Sequence, residues 1–201
     1  MAASAIYETA PLGIQQLMSL SSLRIQQKKN LCVGSEYTVL NENGEEILYA
    51  KEDAAVLSTL FSGKHRSFNM HIVDSQENMV IFLRRPHTLG LDKLEVRVDN
   101  VLVSIVRPQP TFVKPVFSIN DSSDKPVLRV KGKHCTSANH EYEVLAVNKE
   151  RIGGIKKHGA GVVTEICTSH YYLQFPADLH VDYKAALLAT CFLIEYMFFE
   201  K

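Results

Sequence analysis

The most apolar stretch of the chain is AALLATCFLIEYMFFEK, residues Ala185–Lys201, and its structural role decides the fold. The stretch from Lys184 to Glu200 contains no glycine or proline and is too long for a strand. It therefore predicts a helix of about 17 residues, some 25 Å in length. Apolar residues occupy nearly every side of this helix, as in helices that lie in a protein core or in lipid.

Length and charge favour the protein core, with a membrane-spanning helix as the alternative. Crossing a bilayer core of about 30 Å takes roughly 20 apolar residues. The uncharged run Ala185–Ile194 is followed by Glu195, and an acidic residue in mid-helix costs roughly 2.5 to 3.5 kcal/mol on insertion. We expect the helix to fill a fold and Glu195 to be satisfied near one end. The helix residues expected to be buried are Leu187, Phe192, Ile194 and Phe198.

Before the helix, the sequence consists of paired runs that alternate apolar and polar residues around short turns. In LEVRVDNVLVSI, residues 94–105, the turn is Asp99-Asn100, a typical hairpin pattern. Six such pairs begin near Glu36, and the last is Val162–Cys167 and Tyr171–Phe175 around Thr168-Ser169-His170. Because no helical crossover joins the runs, we expect an antiparallel sheet of about twelve strands.

A sheet of this size closes into a barrel or splits into a sandwich. A barrel of twelve strands has a wide lumen, and the apolar helix can fill it. The predicted fold is therefore mainly β, a closed antiparallel barrel around a central C-terminal helix at about 184–200. We expect an N-terminal leader at 1–20 and the barrel domain at 21–201, with residues 12–30 ambiguous between helix and strand.

Composition excludes several function classes. The 22 Lys and Arg residues balance 22 Asp and Glu residues, so no overall field attracts nucleic acid, and sequence-specific binding to it is not expected. The four cysteines are widely spaced, which favours a reducing, intracellular compartment. No His-x-x-x-His pair with a carboxylate and no G-x-S-x-G motif is present, so we do not expect an enzyme.

Several segments resemble the phospholipid scramblases. The most specific is LQFPADLHVDYKAALLATCFLIEYMFFEK, residues 173–201; YTVLNENGEEILYAKEDA (37–54), LRRP (83–86) and GGIKKHGAG (153–161) occur in the expected order. The resemblance extends from about residue 12 and implies the tubby-like fold, a twelve-stranded barrel around a hydrophobic helix. It also implies calcium-stimulated, ATP-independent, bidirectional movement of phospholipids between bilayer leaflets. The implied partners are phospholipids and the membrane surface.

The implied location is the cytoplasmic face of the plasma membrane, and some members of the family are described as entering the nucleus. Mammalian-type members carry adjacent cysteines, taken to be palmitoylated, after the segment matching LRRP. In this chain residues 87–92, HTLGLD, contain none. Since stable anchoring usually takes two signals, we expect peripheral or weak attachment. The alternative function is a soluble tubby-like module that binds anionic phospholipid headgroups or proteins without moving lipid.

The resemblance also places an acidic, EF-hand-like loop just before the C-terminal helix. The matching stretch TSHYYLQFPAD keeps Asp178, with Asp182 nearby. Calcium takes six to eight oxygen ligands, several of them carboxylates, so calcium dependence is doubtful in this chain. Asp178 and Asp182 are the candidate ligands, and a turn or helix-cap role is the alternative for Asp178.

Short basic segments are candidates for a headgroup site or for a nuclear-import-like signal. Their residues are Arg84 and Arg85 in LRRP and Lys156, Lys157 and His158 in IKKH. If they converge on one face, they can bind an anionic headgroup, as tubby-like domains are described as doing with phosphoinositides. A solvated hairpin face is the alternative.

Overall fold

The computed structural model of the protein describes residues 10–28, 35–53, 67–87, 92–111, 114–135, 139–159 and 167–199. This part of the chain contains two helices and twelve strands. The helices are α1 (Leu12–Ser19) and α2 (Val181–Phe198). The strands are β1 (Ser22–Lys28), β2 (Glu36–Leu40), β3 (Glu46–Glu52), β4 (Phe68–Asp74), β5 (Met79–Arg85), β6 (Leu94–Val98), β7 (Val101–Gln109), β8 (Val116–Asp121), β9 (Pro126–Cys135), β10 (Asn139–Ala146), β11 (Arg151–Gly159) and β12 (Cys167–Gln174).

The strands form one closed antiparallel barrel, in which each strand pairs with its neighbours in sequence. The barrel is closed by β1 and β12, from Ser22 opposite Gln174 to Lys28 opposite Cys167. Tight turns stabilise the hairpins; Asp99 and Asn100 between β6 and β7 both have positive φ, as the primed hairpin turns require. The prediction of a twelve-stranded barrel with a C-terminal helix is confirmed.

One predicted hairpin is wrong. The proposed turn Thr168-Ser169-His170 lies inside β12, which runs without a break from Cys167 to Gln174. The proposed partner strand, Val162–Cys167, lies mostly outside the described residues. Strand β12 pairs with β11 on one side and with β1 on the other. The twelfth strand is therefore β1, in the segment that the sequence left ambiguous.

Helix α2 lies in the centre of the hydrophobic core. Its residues Leu187, Phe192 and Ile194 are buried, and it contacts strands on several sides of the barrel, including β6, β7, β8 and β12. The expectation for Phe198 is wrong: its side chain is 42% exposed, because it is the last residue of the helix. The helix begins earlier than predicted, at Val181. In the described part of the chain, neither helix has the length and hydropathy needed to cross a membrane.

Helix α1 packs against the barrel and belongs to the same core. Ile14 and Leu17 are buried, and the Lys184 ammonium of α2 donates hydrogen bonds at 2.7 to 3.3 Å to four backbone carbonyls. Those carbonyls belong to Leu17, Met18, Leu20 and Ala177. The expected boundary at residue 20 thus lies between α1 and β1. Residues on both sides of it pack in the same hydrophobic core.

Candidate functional site

A basic groove of about 630 Å³ crosses the outer face of β1, β12, β11 and β10, with a contribution from β9. Side chains alternate between the two faces of a strand, so most apolar residues of these strands point into the barrel and most polar ones point out. We define the basic groove by its cationic and imidazole side chains, which are Arg24, Lys133, Arg151, Lys156, His158 and His170. Glu141, Tyr172 and glutamine side chains complete its lining.

Strand register places the groove residues in rows. Arg24 of β1 is opposite Tyr172 of β12, which is opposite Lys156 of β11. Directly opposite side chains on one face of a sheet have Cβ atoms about 4.5 to 5.5 Å apart. The tyrosine ring therefore lies between two cations, and the Arg24 guanidinium carbon is 5.1 Å from its centroid.

A second row lies beside the first and contains two histidines. His158 of β11 is opposite His170 of β12, which is opposite Gln26 of β1. The His158 ring also meets the Tyr172 ring edge to face, with centroids 5.5 Å apart. Burial lowers the pKa of His170, and its electrostatic interactions with Arg24 and His158 act in the same direction. An anion in the groove would oppose that effect.

Two carboxylates on β10 partly balance the positive charge. Glu141 lies 3.5 Å from the Lys156 ammonium, and Glu143 lies 2.9 Å from that of Lys133. The hydrogen bond from Lys133, with the positive charges around it, lowers the pKa of Glu143. Both ion pairs are partly exposed, and exposed pairs are worth little, so the cations can exchange these partners for an anionic ligand.

The structure separates the predicted basic residues. Lys156 and His158 line the groove, whereas Lys157 points into the barrel and is 5% exposed. Its ammonium is 2.8 Å from Oε2 of Glu195, which also accepts a hydrogen bond of 2.6 Å from the Tyr171 hydroxyl. The ammonium also lies 3.4 Å from the centroid of the Phe199 ring. Lys157 therefore joins the barrel wall to the end of α2 and is not available to a ligand in the groove.

Arg84 and Arg85 lie on β5, on the opposite side of the barrel from β11. Five strands lie between β5 and β11 in either direction. Arg84 is an exposed residue near Glu95. Arg85 is buried and its guanidinium pairs with Asp92. The five predicted basic residues therefore do not form a single site.

The candidate calcium ligands lie at the start of α2. Asp178 is exposed in the turn Pro176–Leu179. Asp182 lies in the first turn of α2, where its backbone N–H donates to Nδ1 of His180 and its carboxylate is 3.3 Å from the same nitrogen. Most of the segment matched to an acidic loop is β12. Within the described ranges, no group of three or more His, Cys, Asp or Glu side chains could hold a metal.

Sequence reasoning missed Arg24, Lys133, Arg151 and Tyr172. Their common signal is the alternation of polar residues in strands that share one outer face. Arg24 could not be placed because the structure of its segment was ambiguous. Only the pairing of β1 with β12 brings it next to Tyr172.

Comparison with known proteins identifies the family. A Scramblase family model matches residues 1–201. Phospholipid scramblase 2 of Bos taurus is 31% identical to this chain over 94% of the chain and 72% of the relative. Phospholipid scramblase family member 5 of Homo sapiens is 28% identical over 94% of the chain and 78% of the relative. No solved structure matches the chain. The chain belongs to the scramblase family.

Proposed function

We propose that this protein moves phospholipids in both directions between bilayer leaflets, without ATP and without making or breaking covalent bonds. The proposal rests on family membership together with the basic groove. We place the protein at the cytoplasmic face of the plasma membrane, attached peripherally. Its partners in this proposal are phospholipids and the membrane surface.

The row Arg24, Tyr172 and Lys156 carries the proposal. A phosphate accepts paired hydrogen bonds from a guanidinium and is attracted by an ammonium, and both are present in this row on one outer surface. Since α2 fills the barrel interior, a headgroup has to bind outside. The groove supplies the polar outer surface that a headgroup needs beside a bilayer.

The test of movement is reconstitution. Purified protein is placed in liposomes that carry fluorescent lipid, and dithionite then bleaches the label in the outer leaflet. We expect more bleaching than in protein-free vesicles, and equal bleaching with calcium and with a chelator, because Asp178 and Asp182 supply few of the oxygens that calcium needs. Bleaching equal to that of protein-free vesicles would overturn the proposed movement.

The groove also suits the alternative function, in which the protein binds anionic headgroups without moving them. Binding to phosphatidylcholine vesicles with and without phosphatidylserine separates the two functions when it is measured beside bleaching. The variant Arg24→Gln/Lys156→Gln should bind anionic vesicles roughly thirty-fold more weakly, since each cation near such a surface contributes about 1 kcal/mol. The matched control is Arg84→Gln, on the opposite side of the barrel, which should bind as the wild type does.

A further inference from the structure

The hairpin between β10 and β11 presents an apolar side chain at its tip. Val147 is 72% exposed, compared with 39 to 63% for the other exposed large hydrophobic residues in the described ranges. Val147 is the first residue of a tight turn after β10. Covering an apolar side chain in such a position with another apolar phase is favourable, because its surface is removed from water.

The turn that presents Val147 is held by hydrogen bonds. The Lys149 N–H donates to the Ala146 carbonyl at 2.9 Å, and the Ala146 N–H donates to the Glu150 carbonyl at 2.9 Å. The Asn148 carboxamide oxygen accepts from the Glu150 N–H at 3.0 Å. Because the turn is already ordered, burying its tip would cost little conformational entropy.

Positive charge lies on both sides of this tip. One side is a cleft of about 430 Å³ between β9 and β10. Its cations are Arg129, Lys131 and Lys149, and its apolar lining includes Leu145 and Val147. The other side is the basic groove, to which the hairpin contributes Arg151. Glu150 is the acidic residue of the turn, and Nδ2 of Asn148 donates to its carboxylate at 3.3 Å.

We propose that the β10–β11 hairpin tip inserts Val147 into the headgroup region of an anionic bilayer, while the cations on both sides of the hairpin contact lipid phosphates. An apolar tip between basic clefts matches the boundary between acyl chains and negative headgroups. The inference rests on the proposed function, because it orients the basic groove at the edge of the membrane. The inference also specifies the end of the barrel that contacts the lipid, which is the end that carries the β10–β11 turn.

The β6–β7 turn provides a matched control at the same end of the barrel. Val101 follows that turn and is 63% exposed, but the residues before it are Asp99 and Asn100. Both valines are apolar and exposed. Beside Val101 the Asp99 carboxylate is accompanied by the Arg97 guanidinium, which donates to the Asn100 carbonyl at 3.4 Å, whereas cations predominate beside Val147. An insertion driven by apolar exposure alone would involve both valines, whereas the inferred surface involves only Val147.

The chain contains no tryptophan, so a single introduced indole reports its own environment. The variants Val147→Trp and Val101→Trp are mixed with phosphatidylcholine vesicles with and without phosphatidylserine, and tryptophan emission is recorded. We expect a blue shift for Val147→Trp with the anionic vesicles and none for Val101→Trp. In parallel, Val147→Asp should weaken vesicle binding about tenfold, as loss of a buried valine predicts, and Val101→Asp should leave it unchanged.

Three results would overturn the inference. They are equal emission shifts for the two variants, no shift for Val147→Trp on vesicles that bind the protein, and an emission already blue-shifted without vesicles, which would indicate a second copy or a protein partner. Failure of the proposed headgroup site is distinguishable from these. In that case Val147→Trp would shift on anionic vesicles while Arg24→Gln/Lys156→Gln bound as the wild type does.

Discussion

The two faces of strand β11 each carry a lysine, and the two lysines differ in burial and in role. Lys156 and Lys157 are adjacent in sequence, but Lys156 is exposed in the basic groove and Lys157 is buried against Glu195. Burial lowers the pKa of Lys157, and the nearby Glu195 carboxylate opposes this change. A buried charge is fixed by its partner, whereas an exposed charge can exchange a weak partner for a ligand. Of the two, only Lys156 is available for binding.

The largest effect should come from removing the inner lysine. Lys157→Met would leave Glu195 buried without its cation, and breaking a buried pair in this way costs about 3 to 5 kcal/mol. The free energy of unfolding, measured with urea, should fall by that amount. The double variant Lys157→Met/Glu195→Leu should recover most of the loss. A loss below about 1 kcal/mol would contradict a stabilising role for the inner face.

The second effect extends the comparison to Lys184, which is buried at the other end of α2. Lys184→Met would leave the buried carbonyl of Leu17 and the partly buried carbonyls of Met18 and Leu20 without this donor, at a cost of about 3 kcal/mol. Amide hydrogen exchange should become faster at Ile14 and Leu17, and less so in β5 and β6. Uniform acceleration across the barrel would show that this contact is not specific to α1.

The third prediction uses the two glycines of β11. A Cβ on Gly153 would lie 2.2 Å from the backbone oxygen of Gln174, whereas the nearest atom to a Cβ on Gly154 is 3.2 Å away. Gly153→Ala should therefore lower the free energy of unfolding by about 1 to 3 kcal/mol, the usual cost of overpacking. Gly154→Ala should lower it less. Equal losses, measured by urea denaturation, would contradict the close approach of β11 and β12.

The smallest effect concerns pH. Because burial lowers the pKa of His140 and His170 in the folded state, the unfolded chain binds more protons as the pH falls through about 6.5. The free energy of unfolding should therefore decrease below that pH. The variant His170→Gln should reduce the decrease, and anionic vesicles should oppose it by favouring the protonated groove. A free energy that rises on acidification would contradict this sign.

The barrel could be predicted from the sequence because most of its hairpins have a local sequence pattern. Turns such as Asp99-Asn100 separate runs with apolar residues at every second position, and the C-terminal run is too long for a strand and too short for a bilayer. Strand β1 was not predicted, since SLRIQQK contains only two apolar side chains. The turn assigned at Thr168-Ser169-His170 was wrong, because a run of polar residues is typical of turns but here lies within β12.

The candidate site was harder to predict because it depends on register between distant segments. Arg24, Tyr172 and Lys156 come from three different parts of the chain and meet only through strand pairing. One detail was available in the sequence. Ile155 is apolar and two residues before Lys157, so strand alternation puts Lys157 on the inner face with it, and Lys156 on the outer face.

The order of elements along the chain has a consequence for synthesis. The helix that fills the barrel follows all twelve described strands, so the inward-facing residues of those strands leave the ribosome before their packing partner exists. Closure also waits for β12 to pair with β1. Domains generally fold as units during translation, and this one cannot complete its core until α2 has emerged. We therefore expect the apolar faces of its nascent strands to stay exposed, and open to association with other chains, until α2 has been synthesised.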